Sequence, residues 1–554
     1  MRKRETNNGI TVKAYSGTTG ILLAFDIDEN LRHDFLGFAI RREGNNKIAW
    51  LQGILTFPNE SITDYKPIDS NLAPFQKFRW SDYTVYPDQD YTYEIFGMYG
   101  SPDNMKTHVG PKVTIKTESL DNSDHQIIFN RAAAASQAFS RKFPNVYPSD
   151  NPSIQSPEQS QQILEARKWL SRGLKEKIES YFKSALDNTY RLEVAIYEFE
   201  LHEFADLLQE AVDRGVAVKI IYHAKSNDDQ TEANRTYLRS LPKAIKVERV
   251  TSRIFHHKFA IISRKENGVW SPKQVLTGST NWTFNGVYQQ ANVVHVIREK
   301  EVAEVYHRLF VFLLSNPDES ITRINETKKF NSAQPVDVNQ STRVFFSPRS
   351  GFDDLKAIVA EIKNADSSLL LCSAFDIHDT IIEAIKNPTK PGFVQYGLQN
   401  KSSEITGFHR EFNASFVTPA YLKEGIEKRF RKENFARRQG EGSIYIHLKT
   451  IILDFTTSNP TVITGSHNFS KPASDGNDEN LIIIKGNTQV ADIYTLEMFR
   501  FYDHYRFRFN QKQAEDTTTQ KVKTLDVSGA WTGPYFTVGE PERKERELFS
   551  RKDE

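Results

Sequence analysis

The sequence predicts a multidomain chain, an N-terminal all-β sandwich followed by two α/β repeats that form a pseudo-twofold unit. Three observations predict it. Residues 10–118 alternate apolar and polar positions in short runs (21–27, 35–41, 50–57, 91–99 and 112–116) separated by Gly, Asn, Asp and Pro clusters, the pattern of strands joined by turns. From residue 163 the period changes to alternating helix and strand, which favours a sheet with parallel pairs and helices on its faces. That α/β pattern then occurs a second time, with the same polar signatures after it.

Taken in order, 1–118 is the sandwich. Residues 119–162 turn to Ser, Asn, Gln and Pro, interrupted by a helix-prone stretch at 131–141, and read as a linker whose most flexible part is 144–162. The first repeat spans 163–316. It opens with a helix to about Leu186 and the strand 192–199. Leu201, Phe204, Leu207, Leu208, Ala211 and Val212 then follow at helical spacing. Arg214 and Gly215 stop that helix, 216–222 reads as the next strand, and helix 302–314 closes the repeat. A polar linker is expected at 317–341. The second repeat, 342–512, brings helix 353–365, strand 368–375 and helix 378–385. A basic run at 423–438 reads as a solvated helix face or as a rim that guides phosphates. The tail, 513–554, mixes charges of both signs and is expected to be disordered or a docking helix.

A chain of 554 residues is too long for one core. Its 72 basic and 71 acidic side chains leave a formal charge of +1, so any field that attracts phosphate is local. The single cysteine, Cys372, excludes an internal disulfide and lies in an apolar run that reads as a buried strand. Basic residues at the start are not followed by an apolar stretch, and no window approaches 18 apolar residues, so a cytoplasmic protein is expected.

The polar signatures carry the chemistry. His256 and Lys258 are two apart, then come Gly278, Ser279 and Asn281, then Gln290 and Asn292. His447 and Lys449 repeat the spacing 191 residues later, followed by Gly465, Ser466 and Asn468, then Asn477 and Glu479. On a strand, His-x-Lys points both side chains to one face, and His257 to the other. Imidazole suits nucleophilic and acid–base roles because it titrates near neutrality, and a lysine two residues on sets a positive charge on the same face. No Cys/His cluster, no metalloprotease-type His pair and no Gly-rich loop ending in Gly-Lys-Ser/Thr is present, so no metal and no cofactor is expected.

Two His-x-Lys sites with Gly-Ser-x-Asn in register resemble the duplicated His-Lys-Asp motif of the phospholipase D superfamily, enzymes that cleave phosphodiesters. By motif placement the resemblance covers 161–508 and leaves out the first 120 residues. It implies a phosphodiesterase working through a phosphohistidine, with a phospholipid or a nucleic acid as substrate and a complete active site in one monomer. It implies His256 as nucleophile and His447 as acid, with Lys258 and Lys449 as fixed charges on the phosphate. Asn281, Asn468, Ser279 and Ser466 would donate further hydrogen bonds. A separate resemblance concerns Val85, Pro87 and Tyr91, whose spacing is similar to the entry of the sixth strand in fibronectin type III domains, with Val in place of Leu.

The first copy departs from the motif. Ser263 stands where the second copy has Asp454, and Asn292 and Gln290 stand where it has Glu479 and Asn477. Tyrosyl-DNA phosphodiesterases of the same superfamily also lack these acids and are active. Glu479 is expected beside His447, raising that imidazole's pKa and leaving His256 neutral for attack. His467 is expected as a substrate contact, while His202, His223, His295, His307 and His378 read as surface or satisfied core residues. The alternative to an enzyme is a non-catalytic phosphate-binding or interaction protein that keeps the fold. The sandwich shows no catalytic cluster, so a chain starting near Ser156 is expected to retain hydrolysis of a small diester.

Overall fold

The computed structural model describes residues 1–58, 67–121, 123–132, 136–315, 320–419, 446–516 and 524–552. The basic run 423–438 lies outside the described residues.

The N-terminal region forms two four-stranded antiparallel sheets. One has the order Arg2–Asn7, Ile10–Ser16, Ile21–Ile27, Arg79–Asp82, and the other Asn104–Lys116, Asp90–Ser101, Phe35–Gly44, Lys47–Trp50. Alternation does what period two requires, sending Val12, Leu23, Phe25, Phe38 and Ile95 into one core. Tyr91 Oη accepts from the backbone N–H of Tyr86 at 2.9 Å, pinning the turn that holds Pro87.

Two mixed sheets follow. The first repeat has the order His125–Phe129, Val293–Ile297, Val269–Gly278, Lys258–Glu266, Tyr190–Ile196, Ala217–Ala224, Lys246–Val250. The second has Thr342–Ser347, Glu479–Lys485, Thr461–Gly465, Thr450–Leu453, Ser368–Ser373, Val394–Gln399, Ala414–Val417, Gly407–His409. Strand for strand, the first seven positions correspond. In each sheet, antiparallel strands give way to parallel pairs reached through a crossover helix, His202–Asp213 in one and Asp379–Lys386 in the other. The helix His202–Asp213 buries Phe204, Leu207, Leu208 and Ala211, the stripe its spacing predicts.

The inner faces of both sheets share one core with helices Lys300–Ser315 and Thr488–Asp516, and Ile261, Val275, Ile452 and Ile482 all lie in it. Each outer face has its own core under its crossover helix. Among the described residues no helix is long and apolar enough to cross a membrane.

Two segments differ from the sequence reading, and in a third, the tail, the structure takes the docking-helix alternative. Within 119–162, expected as a linker, His125–Phe129 is the edge strand of the first repeat's sheet, paired with Val293–Ile297, and Pro157–Ser171 is a capped helix. The apolar run Ile127–Phe129 is too short, within a polar stretch, to announce a strand that Val293–Ile297 completes. Within 317–341, also expected as a linker, Ser320–Ala333 is helical, and Arg323 and Asn331 bond to Val250 O and Pro348 O. In the tail, Pro541–Ser550 is a docked helix whose Leu548 and Phe549 enter the inter-sheet core.

The sandwich is also fastened to the repeats. Arg2 pairs with Asp492 at 2.7 Å, Arg172 with Glu497 at 2.8 Å while also bonding Thr19, and Arg79 with both Asp503 and Glu545. These pairs are buried, so removing one partner strands a charge in a dry interior. A chain starting at Ser156 would lose the edge strand, Arg2, Arg79 and the seat of the C-terminal helix. The expected outcome is that it does not fold cooperatively. Circular dichroism melts of this truncation against the full chain check it, and a cooperative transition within a few degrees of the full chain would refute it.

Candidate active site

His256 lies just before the strand Lys258–Glu266, which Lys258 opens, and His447–Lys449 just before the strand Thr450–Leu453, where the two repeats meet. Phe255 bridges to Asp478, and Ile446 to Ala291. Backbone bonds lock the crossing. His256 N donates to Asp478 O at 2.9 Å, Asp478 N to Ile254 O at 3.0 Å, and His447 N to Ala291 O at 3.1 Å. Asp478 precedes Glu479 as Ala291 precedes Asn292, so the exchange is symmetric. The histidines meet across it with ring centroids 6.4 Å apart, one nearly edge-on to the other.

The exchange overturns the expected pairing. Glu479 does not face His447. Its Oε2 accepts from Nδ1 of His256 at 2.9 Å. His447 Nδ1 instead faces Ser279 O and Asn292 Oδ1, each at 3.0 Å. The Asn292 amide is held in that orientation because its Nδ2 donates to Gly286 O at 2.8 Å, and Asn130, in the segment read as linker, accepts from its backbone N–H. Each histidine thus takes its Nδ1 partner from the other repeat, one a carboxylate and one an amide. With both Nδ1 positions facing acceptors, both Nε2 atoms are the reactive ones.

Lys258 and Lys449 are 1% and 0% exposed. Among the described residues each ammonium makes a single hydrogen bond, to the carbonyl of its own repeat's histidine, at 2.9 and 2.6 Å. Each also lies over a ring, Tyr197 at 5.1 Å and Phe375 at 5.9 Å. Two N–H donors on each lysine are left for something else. Two buried, under-bonded lysines on the segments of the facing histidines form a place for an anion, which would favour their charged forms.

Titration follows from this crowding. Burial, reinforced by the two lysines, holds both imidazoles well below their ordinary pKa. Burial lowers Lys258 to about 7, opposed by Glu479 and Glu198, and pushes Lys449 well down, reinforced by Lys258. The Glu479 carboxyl is raised to about 7 by burial, which outweighs the pull of His467 and the lysines.

The remaining predicted residues divide. Asn281 Nδ2 donates to Glu198, and its own Oδ1 is buried without a partner among the described residues, as is Asn468 Oδ1. Ser279 Oγ bonds Asn292 Oδ1 at 2.8 Å and Ser466 Oγ accepts from Asn480 N at 3.0 Å, so both hydroxyls brace the strands behind the histidines rather than face the anion. Both ring nitrogens of His467 have neighbours, its Nε2 3.2 Å from buried Asp354 and its Nδ1 accepting from Phe469 N. His257 points to the opposite face, among Phe255, Phe259 and Phe346. Asp454 takes backbone N–H groups of Asp366, Ser367 and Ser368, closing the turn between repeat elements.

Sequence reasoning missed the orienting role of Asn292 and the presence of Glu198. The signal was there: both sit at strand ends in register with the second copy, Tyr197 and Glu198 against Phe375 and Asp376. The two glycines of Gly-Ser-x-Asn also carry a reason. Gly278 and Gly465 share φ +141°, and a Cβ on either would stand 2.3 Å from a backbone oxygen, Val293 O or Asn480 O. The expected result for Gly465→Ala is a loss of roughly 1–3 kcal/mol from backbone strain and a fall in activity. Chemical denaturation checks it, and unchanged stability would show that the strand can shift.

A family model described as "Cardiolipin synthase, PLD-like domain" matches residues 180–313 and 358–500, together half of the chain. No curated protein matches it. Among solved structures, polyphosphate kinase of Porphyromonas gingivalis is similar at 12% identity over 56% of this chain, TM-score 0.40, and this chain spans 42% of that one. Phosphatidylserine synthase of Haemophilus influenzae is similar at 14% identity, covering 64% of this chain and 94% of that chain, TM-score 0.42. Yeast tyrosyl-DNA phosphodiesterase is similar at 10% identity, covering 55% and 86%, TM-score 0.32.

Proposed function

The chain belongs to the family of phospholipase D-like domains, and on that footing we propose that it is a phosphodiesterase that works through a phosphohistidine. The observation that carries the reading is the pair of buried lysines, each with unused N–H donors among the described residues, on the segments of two facing histidines whose Nε2 atoms have no hydrogen-bond partner among the described residues. A phosphodiester monoanion supplies the acceptors both ammonium groups lack. Burial, and after it the two lysine charges, lower the His447 pKa, and a bound phosphate offsets the lysine part, which favours the proton on His447 Nε2 as substrate binds.

His256 is the nucleophile in this reading. The Glu479 carboxylate holds the Nδ1 proton and stabilises positive charge on the ring as Nε2 attacks phosphorus. The P–O bond to the leaving alcohol breaks with its electron pair, and that oxygen takes the proton from His447 Nε2. In the second step His447 Nε2 removes a proton from water, the water oxygen bonds to phosphorus, and the P–N bond breaks with its pair returning to His256. An amide partner stabilises imidazolium less than a carboxylate does, which makes His447 the stronger acid. The lysines supply charge on the non-bridging oxygens throughout. An alcohol in place of water would give transfer rather than hydrolysis by the same two steps.

The substrate is a phospholipid or a nucleic acid, and one screen tests both. Purified protein in excess chelator is offered phosphatidylcholine vesicles, DNA and RNA. Cleavage of one class, undiminished by chelator, is the expected result, because lysines compensate the charge. Complete loss in chelator with rescue by a divalent ion would overturn the mechanism, and binding without turnover on every substrate would favour a non-catalytic phosphate-binding role.

A further inference from the structure

Glu198 has no part in the two-histidine scheme. It follows the strand Tyr190–Ile196, next to the tyrosine whose ring lies under Lys258, and it accepts from Asn281 Nδ2. Burial and Glu200 favour its neutral form, while Lys258 and Lys449 favour the ionised one, so it lies within the field of both lysines. Among the described residues no ion pair joins it to either of them.

A carboxylate here is unfavourable for the anion the lysines bind, because it repels the phosphate oxygens. Nor is it imposed by symmetry. The equivalent second-repeat residue, Asp376, is exposed, and no hydrogen bond joins it to Asn468 among the described residues. On the first-repeat side, Glu198 is joined by a second acceptor. Asn281 Oδ1 belongs to the amide that Glu198 holds, at a residue 4% exposed, and it has no partner among the described residues. Asn281 Oδ1 lacks a donor among the described residues, and the only side-chain hydrogen bond Glu198 accepts among them is from Asn281 Nδ2, so a ligand can bring donors to both.

We propose that Glu198 and Asn281 Oδ1 form a specificity subsite for phosphodiesters whose alcohol carries a primary ammonium close to the phosphate, as a 2-aminoethyl ester does. The ammonium bridges both acceptors with its N–H groups while the phosphate rests on Lys258 and Lys449. This rests on the reading of the lysines as a phosphate cradle. The ammonium can come from a lipid headgroup or from a small aminoalkyl phosphate.

The test separates binding from turnover. Calorimetry on the full-length protein measures O-phosphoethanolamine, ethyl phosphate and phosphocholine against wild type, Glu198→Gln and Glu198→Asp. Glutamine keeps an oxygen for Asn281 Nδ2 and removes the charge, so a merely structural role would leave the ligand ratio unmoved. Wild type is expected to bind O-phosphoethanolamine at least tenfold more tightly than ethyl phosphate, with phosphocholine, which has no N–H, close to ethyl phosphate. Glu198→Gln is expected to erase that ratio and Glu198→Asp to retain part of it. A wild-type ratio near one, equal preference for phosphocholine, or a ratio unchanged in Glu198→Gln overturns the subsite. Failure of all three ligands to bind wild type overturns the phosphate cradle itself. In the turnover arm, mixed micelles of phosphatidylethanolamine and phosphatidylglycerol identify a lipid source if the first is preferred and the preference falls in Glu198→Gln. Ammonium-selective binding without that preference assigns the site to small aminoalkyl phosphates.

Discussion

His447→Ala is expected to lower the rate of forming the covalent intermediate on an alkyl diester by about 10²–10⁴-fold, the usual contribution of a positioned acid. On a p-nitrophenyl diester most of that loss should disappear, because an acidic phenol leaves without being protonated. His256→Ala should lose turnover on both esters, since no atom remains to attack phosphorus. The two imidazoles differ in their Nδ1 partners, Glu479 for His256 and Asn292 with Ser279 O for His447. That difference is the physical ground for assigning the roles. Rapid-quench measurement of the burst on both esters reads the result directly. Trapped phosphate on His447, or phenyl-ester rescue of His256→Ala, would reverse the assignment.

Glu479→Gln is expected to slow the same step by about a hundredfold and to change its pH profile. Glutamine can still accept from His256 Nδ1 but cannot stabilise the charge that appears on the ring. Burial raises Glu479 to about 7, so the carboxyl is neutral below that pH and ionised above it, and the wild-type rate should climb as pH rises towards 7. Lys258 is lowered to about 7, so it loses its charge, and the phosphate its partner, above that pH. The product is a narrow bell centred near neutrality. In Glu479→Gln the acid limb should vanish while the alkaline limb remains. An acid limb that survives the substitution would place the titrating group elsewhere.

Much of this protein was legible in its sequence. The alternating runs of the N-terminal region, the helical stripe at 202–213 and the two Gly-Ser-x-Asn turns are local signals, because side-chain periodicity and backbone strain act over a few residues. The duplication added more: matched motifs in matched α/β units already require two similar sheets, and the two histidines meet as symmetry predicts.

What the sequence alone could not decide was which partner each of these residues takes. Glu479 follows His447 closely in the chain, and proximity in sequence suggested proximity in space. The two repeats bridge to each other beside both histidines instead, so Glu479 reaches a histidine 223 residues away and Asn292 one 155 residues away. The same long-range pairing takes His125–Phe129 from a polar stretch and makes it a sheet edge, and seats the C-terminal helix under the sandwich. In each case the bond energy depends on a surface that exists only after other elements have packed, so no window of sequence contains it. The sequence by itself determined which groups are available for chemistry at phosphorus. Only the tertiary structure decided which histidine has a carboxylate behind it, because that choice is made by the backbone bridges between the two repeats and not by any property of the motif.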